Sequence, residues 1–412
     1  MPTALSLLEK HMTFSELETH RTQVSAVGVL NALLREGHAA RASDLHLVPT
    51  PDAVIARLRV DGALRDSHFI PLHLHAELMT RLKILAGLRT DEHQVAQDGR
   101  FRFVILDQAI DVRLSLAPSY HGENAVLRLL SSRKDFSTFS SLGLLESHQR
   151  IIREALSTHR GLILITGPTG VGKTSTLYAL LQFLNSRTRS IVTIEDPIEY
   201  SLDGITQIPA NGQRGISFAE GLRSMLRHDP DIIAIGEIRD TETATLALNA
   251  ALTGHLIIST LHSMHAPAAL IRLMNMGIEP YLISSSVTLV INQRLLPRLC
   301  TNCKTKKRLT RSQMLQLEQA HLLYSDMLPP TKYQYIGRGC ATCAGTGSNG
   351  RTGIFEILPI GPALQELCES KTSARKLYAE ALAQGFEPLL LDGLRKAAQG
   401  IVRLDDVLPF AQ

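Results

Sequence analysis

The residues Gly167-Pro168-Thr169-Gly170-Val171-Gly172-Lys173-Thr174 follow the spacing G-x-x-x-x-G-K-[ST], a pattern whose chemistry is the gripping of nucleotide phosphates. Glycines let the backbone fold around an anion so that successive N–H groups face it, and a helix starting there adds the positive end of its dipole. In this reading Lys173 reaches the β- and γ-phosphates of ATP, Thr174 places its hydroxyl on Mg²⁺, and Ser175 carries the cradle into the helix. A glycine turn with an incidental lysine is the competing reading. The context weighs against it, because the apolar run Leu162–Ile165 comes directly before the loop and the helix-forming stretch Ser175–Leu184 directly after.

Three further segments could complete such a site. Ile191–Tyr200 reads IVTIEDPIEY, an apolar strand ending in Glu195, Asp196 and Glu199; in open α/β sheets ligands bind outside that carboxyl edge. A second apolar run, Ile232–Ile235, ends in Gly236-Glu237, and Glu237 is the group expected to orient or activate the attacking water. Many phosphate-loop enzymes hold Mg²⁺ with an aspartate just before this glutamate. Here that position is Gly236, so metal contact is expected from Thr174 and waters. Acids that merely cap strand ends are the alternative. His255 and His262 flank Leu256–Ser259 within TGHLIISTLHS, and one or both are expected to sense the γ-phosphate, against a purely structural hydrogen-bonding role.

The cysteines suggest a metal. Cys300-x2-Cys303 and Cys340-x2-Cys343 are two pairs, each able to bite one face of a tetrahedral ion, and together they make a closed four-thiolate shell for structural Zn²⁺. A redox pair is disfavoured, since no thioredoxin-like βαβ pattern surrounds either half. Cys368, in the tail, reads as an ordinary buried residue. The basic run Lys304-Thr305-Lys306-Lys307-Arg308 reads as a solvated loop in preference to a phospholipid contact.

The elements that must position these residues are legible in part. Val24, Val27, Leu30, Leu33 and Leu34 recur at helical spacing before Gly37, which predicts an amphipathic helix ending at or near that glycine. Strands are predicted at Leu45–Val48 and Ala53–Val60, with a tight turn at Asp61-Gly62, and a hairpin over Arg100–Ser115. Ser131–Ser141 lacks an apolar period and reads as a linker. Beyond it, the short apolar runs at Leu162, Ile191, Ile232 and Leu256 suit buried parallel strands covered by helices on both faces. Ala374, Leu377, Tyr378, Ala381 and Leu382 mark an amphipathic helix in a mainly helical tail. The fold class is α/β, divided into 1–133, an α+β domain; 134–141, a linker; 142–299, the nucleotide domain; 300–352, a four-cysteine subdomain; and 353–412, a helical region.

At 412 residues and 44% hydrophobic, the chain has material for two or three cores. A net charge of +4, 5% aromatics and no tryptophan give little support to a nucleic-acid partner. No run approaches the roughly 20 apolar residues of a membrane span, and no signal-peptide pattern opens the chain. A cytoplasmic protein is expected.

The loop, IEDPIEY, GLRSMLRHDPDIIAIGEIRD and the histidine segment, in this order, resemble the type II secretion and type IV pilus assembly ATPases. The likeness runs from ASDLHL near Ser43 through QDGR at Gln97 to the tail around Gly353. In that family the four nucleotide-domain segments are the Walker A, Asp box, Walker B and His box. The resemblance implies a RecA-like phosphate-loop core, a PAS-like N-terminal domain, a zinc subdomain and ATP hydrolysis. It also implies arginines approaching the γ-phosphate, which fall on Arg113, Arg128, Arg223 and Arg227. Arg223 and Arg227, four apart, would share a helical face, which a plain salt-bridge ridge also explains. The first cysteine pair reads C-T-N-C where many relatives have C-P-x-C, a change in the turn more than in the ligation.

A homohexamer driving an inner-membrane platform that assembles pilin-like subunits is what the family implies, with peripheral membrane association through partner proteins and no direct nucleic-acid contact. Relatives often carry a further N-terminal docking domain, whereas ASDLHL comes here within the first 50 residues, so docking is expected through another surface or protein. A DNA-uptake motor, a retraction motor (generally without the four cysteines) and, in a different class, a nucleic-acid translocase are the alternatives. A nucleotide-binding scaffold without turnover is disfavoured by the presence of both Lys173 and Glu237.

Overall fold

The structure, a computed structural model, describes residues 25–105, 108–130, 138–210, 215–324 and 332–411. The chain divides into two compact units, Met1–Arg133 and Lys134–Gln412. Val24 and most of the expected linker lie outside the described residues. The linker's end is no extended tether: Thr138 caps a short helix, Phe139–Leu142, whose Phe139 is buried.

In the first unit, helix Ala26–Ala39 starts at Ser25, whose side chain accepts from Gly28 N–H. Strands β1 (Asp44–Pro49), β2 (Ala53–Val60), β3 (Ala63–Pro71), β4 (Gln97–Ile105), β5 (Gln108–Ser119) and β6 (Gly122–Leu130) form one antiparallel sheet in the order β3-β2-β1-β6-β5-β4. Asp61 (φ 51°) and Gly62 (φ 88°) make the β2–β3 turn, both positive as a tight hairpin requires. Leu30, Leu33 and Leu34 from the first helix and Leu78 and Leu82 from helix His75–Ala86 pack with Leu45, Leu47, Val112 and Leu127 of the sheet. The helix ends near Gly37 as expected, at Ala39, and the glycine lies in its last turn, where a Cβ would meet Leu129 Cδ1 at 2.9 Å, so the glycine lets helix and sheet approach.

This core holds a buried charge. Lys83 is fully buried, with Nζ 2.7 Å from Glu123 Oε1 and 3.1 Å from His93 Nδ1, and it donates to the Glu92 carbonyl. Removing one member of such a pair strands the other without water. Lys83→Met is expected to cost roughly 3–5 kcal/mol of stability, read by urea unfolding of the full chain, and adding Glu123→Gln should recover most of it. A single variant as stable as the parent would contradict the pairing.

The second unit is built on β7 (Gly161–Thr166), β8 (Ile191–Glu195), β9 (Thr206–Pro209), β10 (Ile232–Ile235), β11 (Leu256–Leu261), β12 (Val287–Leu299), β13 (Lys304–Arg308), β14 (Tyr333–Gly337) and β15 (Ser348–Pro359). Seven of these form a sheet in the order β15-β12-β7-β11-β10-β8-β9. All its neighbours are parallel except β12 and β15. Alternation along β7 sends Leu162 and Leu164 into one core and Ile163 and Ile165 into the other, which is why the strand is apolar throughout. β15 runs across the 352/353 boundary, and helices Pro362–Glu369, Ala374–Ala383, Leu389–Ala398 and Leu404–Val407 follow it.

The basic run is not a loop. Lys304–Arg308 is β13, paired antiparallel with β14, and the ammonium groups of Lys304 and Lys306 each lie 5.6 Å from the Tyr335 ring centroid. Among the described residues no helix is long and apolar enough to cross a membrane.

Candidate nucleotide-binding active site

The phosphate loop leaves β7 and enters helix Lys173–Leu184. Gly167 (φ 139°), Gly170 (φ 81°) and Gly172 (φ 86°) take backbone conformations that a side chain would strain. At Gly167 a Cβ would also lie 2.7 Å from the Gln293 carbonyl. Pro168 and Thr169 are exposed at the tip, Val171 is buried, Thr174 is exposed in the first helical turn and Ser175 is half-buried. Lys173 Nζ donates to the carbonyls of Gly167 (2.7 Å) and Pro168 (3.1 Å), so its ammonium sits across the mouth of the loop. Burial lowers its pKa, the Glu237 carboxylate opposes that shift, and Arg294 adds to it.

Parallel pairing brings the other groups to this edge. Leu261 of β11 is opposite Thr166 of β7, so His262 emerges beside the loop; Ile235 of β10 is opposite Ser259, so Glu237 emerges next to it. His262 Nδ1 lies 3.3 Å from Lys173 Nζ, and its Nε2 lies 3.6 Å from Glu237 Oε2. Glu237 also pairs with Arg239, whose guanidinium reaches Asp196 Oδ2 at 3.9 Å. The hydrogen bond to Glu237 raises the pKa of Arg239. Gly236 sits between strands, where a Cβ would come 3.3 Å from the Glu195 Cα and the Ile194 carbonyl.

Glu195 differs from its neighbours. It is buried and accepts hydrogen bonds from Tyr178, from Thr193 Oγ1 (2.6 Å) and from Gln207 Nε2 (3.0 Å). Tyr178 Oη in turn accepts from Glu199 N–H (3.2 Å). Since Tyr178 belongs to the helix that follows the loop, Glu195 ties that helix to the acid segment. Burial, then the Glu195 charge, raise the Tyr178 phenol pKa, and burial pushes that of Tyr200 up to about 12.

The four cysteines form one cluster. Sγ–Sγ distances are 3.8 Å for Cys300–Cys340, 3.8 Å for Cys303–Cys343 and 3.7 Å for Cys340–Cys343, and all four sulfurs lie within 4.8 Å of one another. Backbone N–H groups of Cys340 and Gly347 each point at Cys343 Sγ from 3.2 Å. Cys368 is buried elsewhere, in helix Pro362–Glu369.

The family described as "Type II/IV secretion system protein" matches residues 20–409. The chain belongs to this secretion family. It is 41% identical over 382 residues to "Type II secretion system protein E" of Pseudomonas aeruginosa, covering 93% of this chain and 74% of that one. It is 41% identical over 404 residues to "Type II secretion system ATPase E" of Vibrio cholerae, covering 98% and 78%. "Type IV pilus assembly ATPase PilB" of Myxococcus xanthus is 38% identical over 405 residues, covering 97% and 70%. Among solved structures, the Legionella pneumophila ATPase DotB shares the fold at 20% identity and a TM-score of 0.69, covering 94% of this chain and 96% of that one.

Within this secretion-family fold, one histidine expected at the site falls elsewhere. His255 precedes β11 at the sheet's opposite end, where its carbonyl accepts from Gly161 N–H and its Nδ1 lies 3.1 Å from the Ala250 carbonyl. The length of the strand, about 20 Å, separates it from the loop, so His255 is no phosphate sensor. Arg223 and Arg227 do not share a helical face: helix Phe218–Met225 ends first, and Arg227 lies in the turn beyond, donating to the Arg223 carbonyl at 2.9 Å. Arg223 pairs with Glu242. Arg113 and Arg128 stand opposite each other across β5 and β6 of the first unit, and Arg128 Nε lies 3.3 Å from Asp44 Oδ1. Sequence reasoning missed Arg239 and Tyr178; only Arg239 had a local signal, two residues beyond Glu237.

Proposed function

We propose that this chain hydrolyses ATP to drive the assembly of pilin-like subunits in a type II secretion or type IV pilus machine. The observation that carries the reading is the convergence of Lys173, His262 and Glu237 at the mouth of the loop, in a chain of the secretion family. Gly167 to Ser175 would hold the phosphates through backbone N–H groups, with Lys173 on the β- and γ-oxygens. Glu237 would orient water for attack and accept its proton. His262, between the two, would sense the γ-phosphate, and Glu195 and Glu199 would fix the acid segment through Tyr178. For Arg113, Arg128, Arg223 and Arg227 the reading is that of the resemblance, guanidinium groups that stabilise charge on the γ-phosphate.

Two metals fit the residues present. Mg²⁺ would be held through the exposed Thr174 hydroxyl and supply charge neutralisation between phosphates, with no carboxylate at Gly236 to assist. Zn²⁺ suits the cysteines because a tetrahedron with Zn–S bonds of about 2.3 Å has edges of about 3.8 Å, matching the sulfur spacings. The domain division, the hexameric ring, the platform and docking partners and a place on the cytoplasmic face of the inner membrane follow from the family reading.

The test is phosphate release by the purified full chain, with and without duplex DNA over a range of salt. Release that ignores DNA is expected. Stimulation by DNA that fades as salt rises would favour a nucleic-acid translocase instead. A pull-down from the native cell envelope then identifies the machine, with an integral membrane platform as the expected partner.

A further inference from the structure

Below the phosphate loop lies a buried polar residue that the site as described does not use. β12 runs beside β7 with Asn292 opposite Thr166, so Gln293 comes next, under the loop. It is 2% exposed. Its Nε2 donates to the Val171 carbonyl at 2.7 Å, and its Oε1 accepts from Thr176 Oγ1, itself buried, at 2.7 Å. In a trans peptide the carbonyl and the next N–H point in opposite directions. Anchoring the Val171 oxygen toward β12 therefore turns the Gly172 N–H away from β12. Gly172 has a φ of 86° and would place a Cβ 3.4 Å from Gln293 Nε2, so on its Gly172 side this peptide has no side chain to hold it.

We propose that Gln293 is a positioning residue of the phosphate loop, whose carboxamide sets the Val171–Gly172 peptide so that the Gly172 amide faces the nucleotide. The role needs one donor and one acceptor on the same group. Glutamate would keep the acceptor for Thr176 and set an oxygen against the Val171 carbonyl; methionine would lose both bonds. The neighbours hold Gln293 in place: Arg294 Nη1 donates to its carbonyl at 2.8 Å, while Asn292 Nδ2 and Arg294 Nη2 donate to the Met264 carbonyl at 3.0 and 2.9 Å. Asn292 also donates to buried Glu356, which accepts from Ala266 N–H at 2.8 Å. The strand that orients the loop thus also fixes the segment following His262.

This inference rests on the loop binding ATP, and the experiment separates the two. ADP binding by calorimetry and ATP turnover are measured on the full chain for the parent, Gln293→Glu, Thr176→Val and the apolar pair Gln293→Met with Thr176→Val. Melting of each without nucleotide controls for folding. Gln293→Glu should bind ADP roughly tenfold more weakly, the loss of one hydrogen bond with its partner stranded, and the loss should appear in KM more than in kcat, as for uniform binding. Thr176→Val should stay within roughly threefold of the parent, whatever its melting temperature. The paired apolar variant keeps shape and removes both polar side chains, leaving only the Val171 carbonyl without its donor, so it should fold and still bind roughly tenfold more weakly. Parent-like affinity in Gln293→Glu or in the pair, or equal weakening in Thr176→Val, overturns the positioning role. A parent that binds no ADP would instead remove the ATP reading beneath it.

Discussion

Glu237→Gln in the full chain is expected to lower phosphate release from ATP by about 10²- to 10⁴-fold, the contribution of a positioned general base, while nucleotide still binds. The amide keeps the volume of the carboxylate and its place near His262, 3.6 Å away, but cannot take a proton from water. Lys173→Ala should act earlier. Its ammonium spans the loop mouth through two backbone carbonyls, and without it both binding and turnover fall, turnover by about 10²- to 10³-fold as for loss of one preorganised charge donor. Equal release rates in parent, Glu237→Gln and Lys173→Ala would reject catalysis at this site.

The second large effect concerns the cysteine cluster. Elemental analysis after dialysis should find one zinc per chain, and a metal-free protein would contradict the four-thiolate assignment. Stripping the ion with a strong chelator should turn all four clustered thiols from unreactive to reactive toward a disulfide reagent, because closed zinc sites hold their sulfurs and their local fold together. The consequence should reach past the hairpin. Lys304 Nζ donates to the Gly400 carbonyl, Leu299 N–H to the Ile401 carbonyl, and Arg298 bridges to Val402, so loosening β13 and the end of β12 that flanks Cys300 frees the last helices. Cys340→Ser should make the remaining three clustered thiols reactive and loosen the same helices, and Cys368→Ser, outside the cluster, should do neither.

What the sequence made legible was local. The loop, the four apolar runs and the cysteine spacing are written in consecutive residues, and each corresponds to an observed strand, turn or cluster. β12 was missed because Asn292-Gln293-Arg294 interrupts its apolar run, and those polar groups are buried with the help of partners far away in the chain: Val171, Thr176, Met264 and Glu356. The same reason hides the buried Lys83 and makes Lys304–Arg308 look like a loop, since its partner strand begins at Tyr333. The histidines show the limit of segment reasoning. His255 and His262 bracket a single strand, and a strand has two ends; only its direction in the sheet decides which histidine meets the phosphates.

The antiparallel pairing of β12 with β15 has a consequence for biosynthesis. Until Ser348–Pro359 has left the ribosome, β12 presents an unpaired flank with apolar Leu289 and Ile291 beside it, the sort of border that invites wrong partners. A nascent chain halted after the cysteine hairpin would thus carry every phosphate-gripping residue and still own an unfinished sheet.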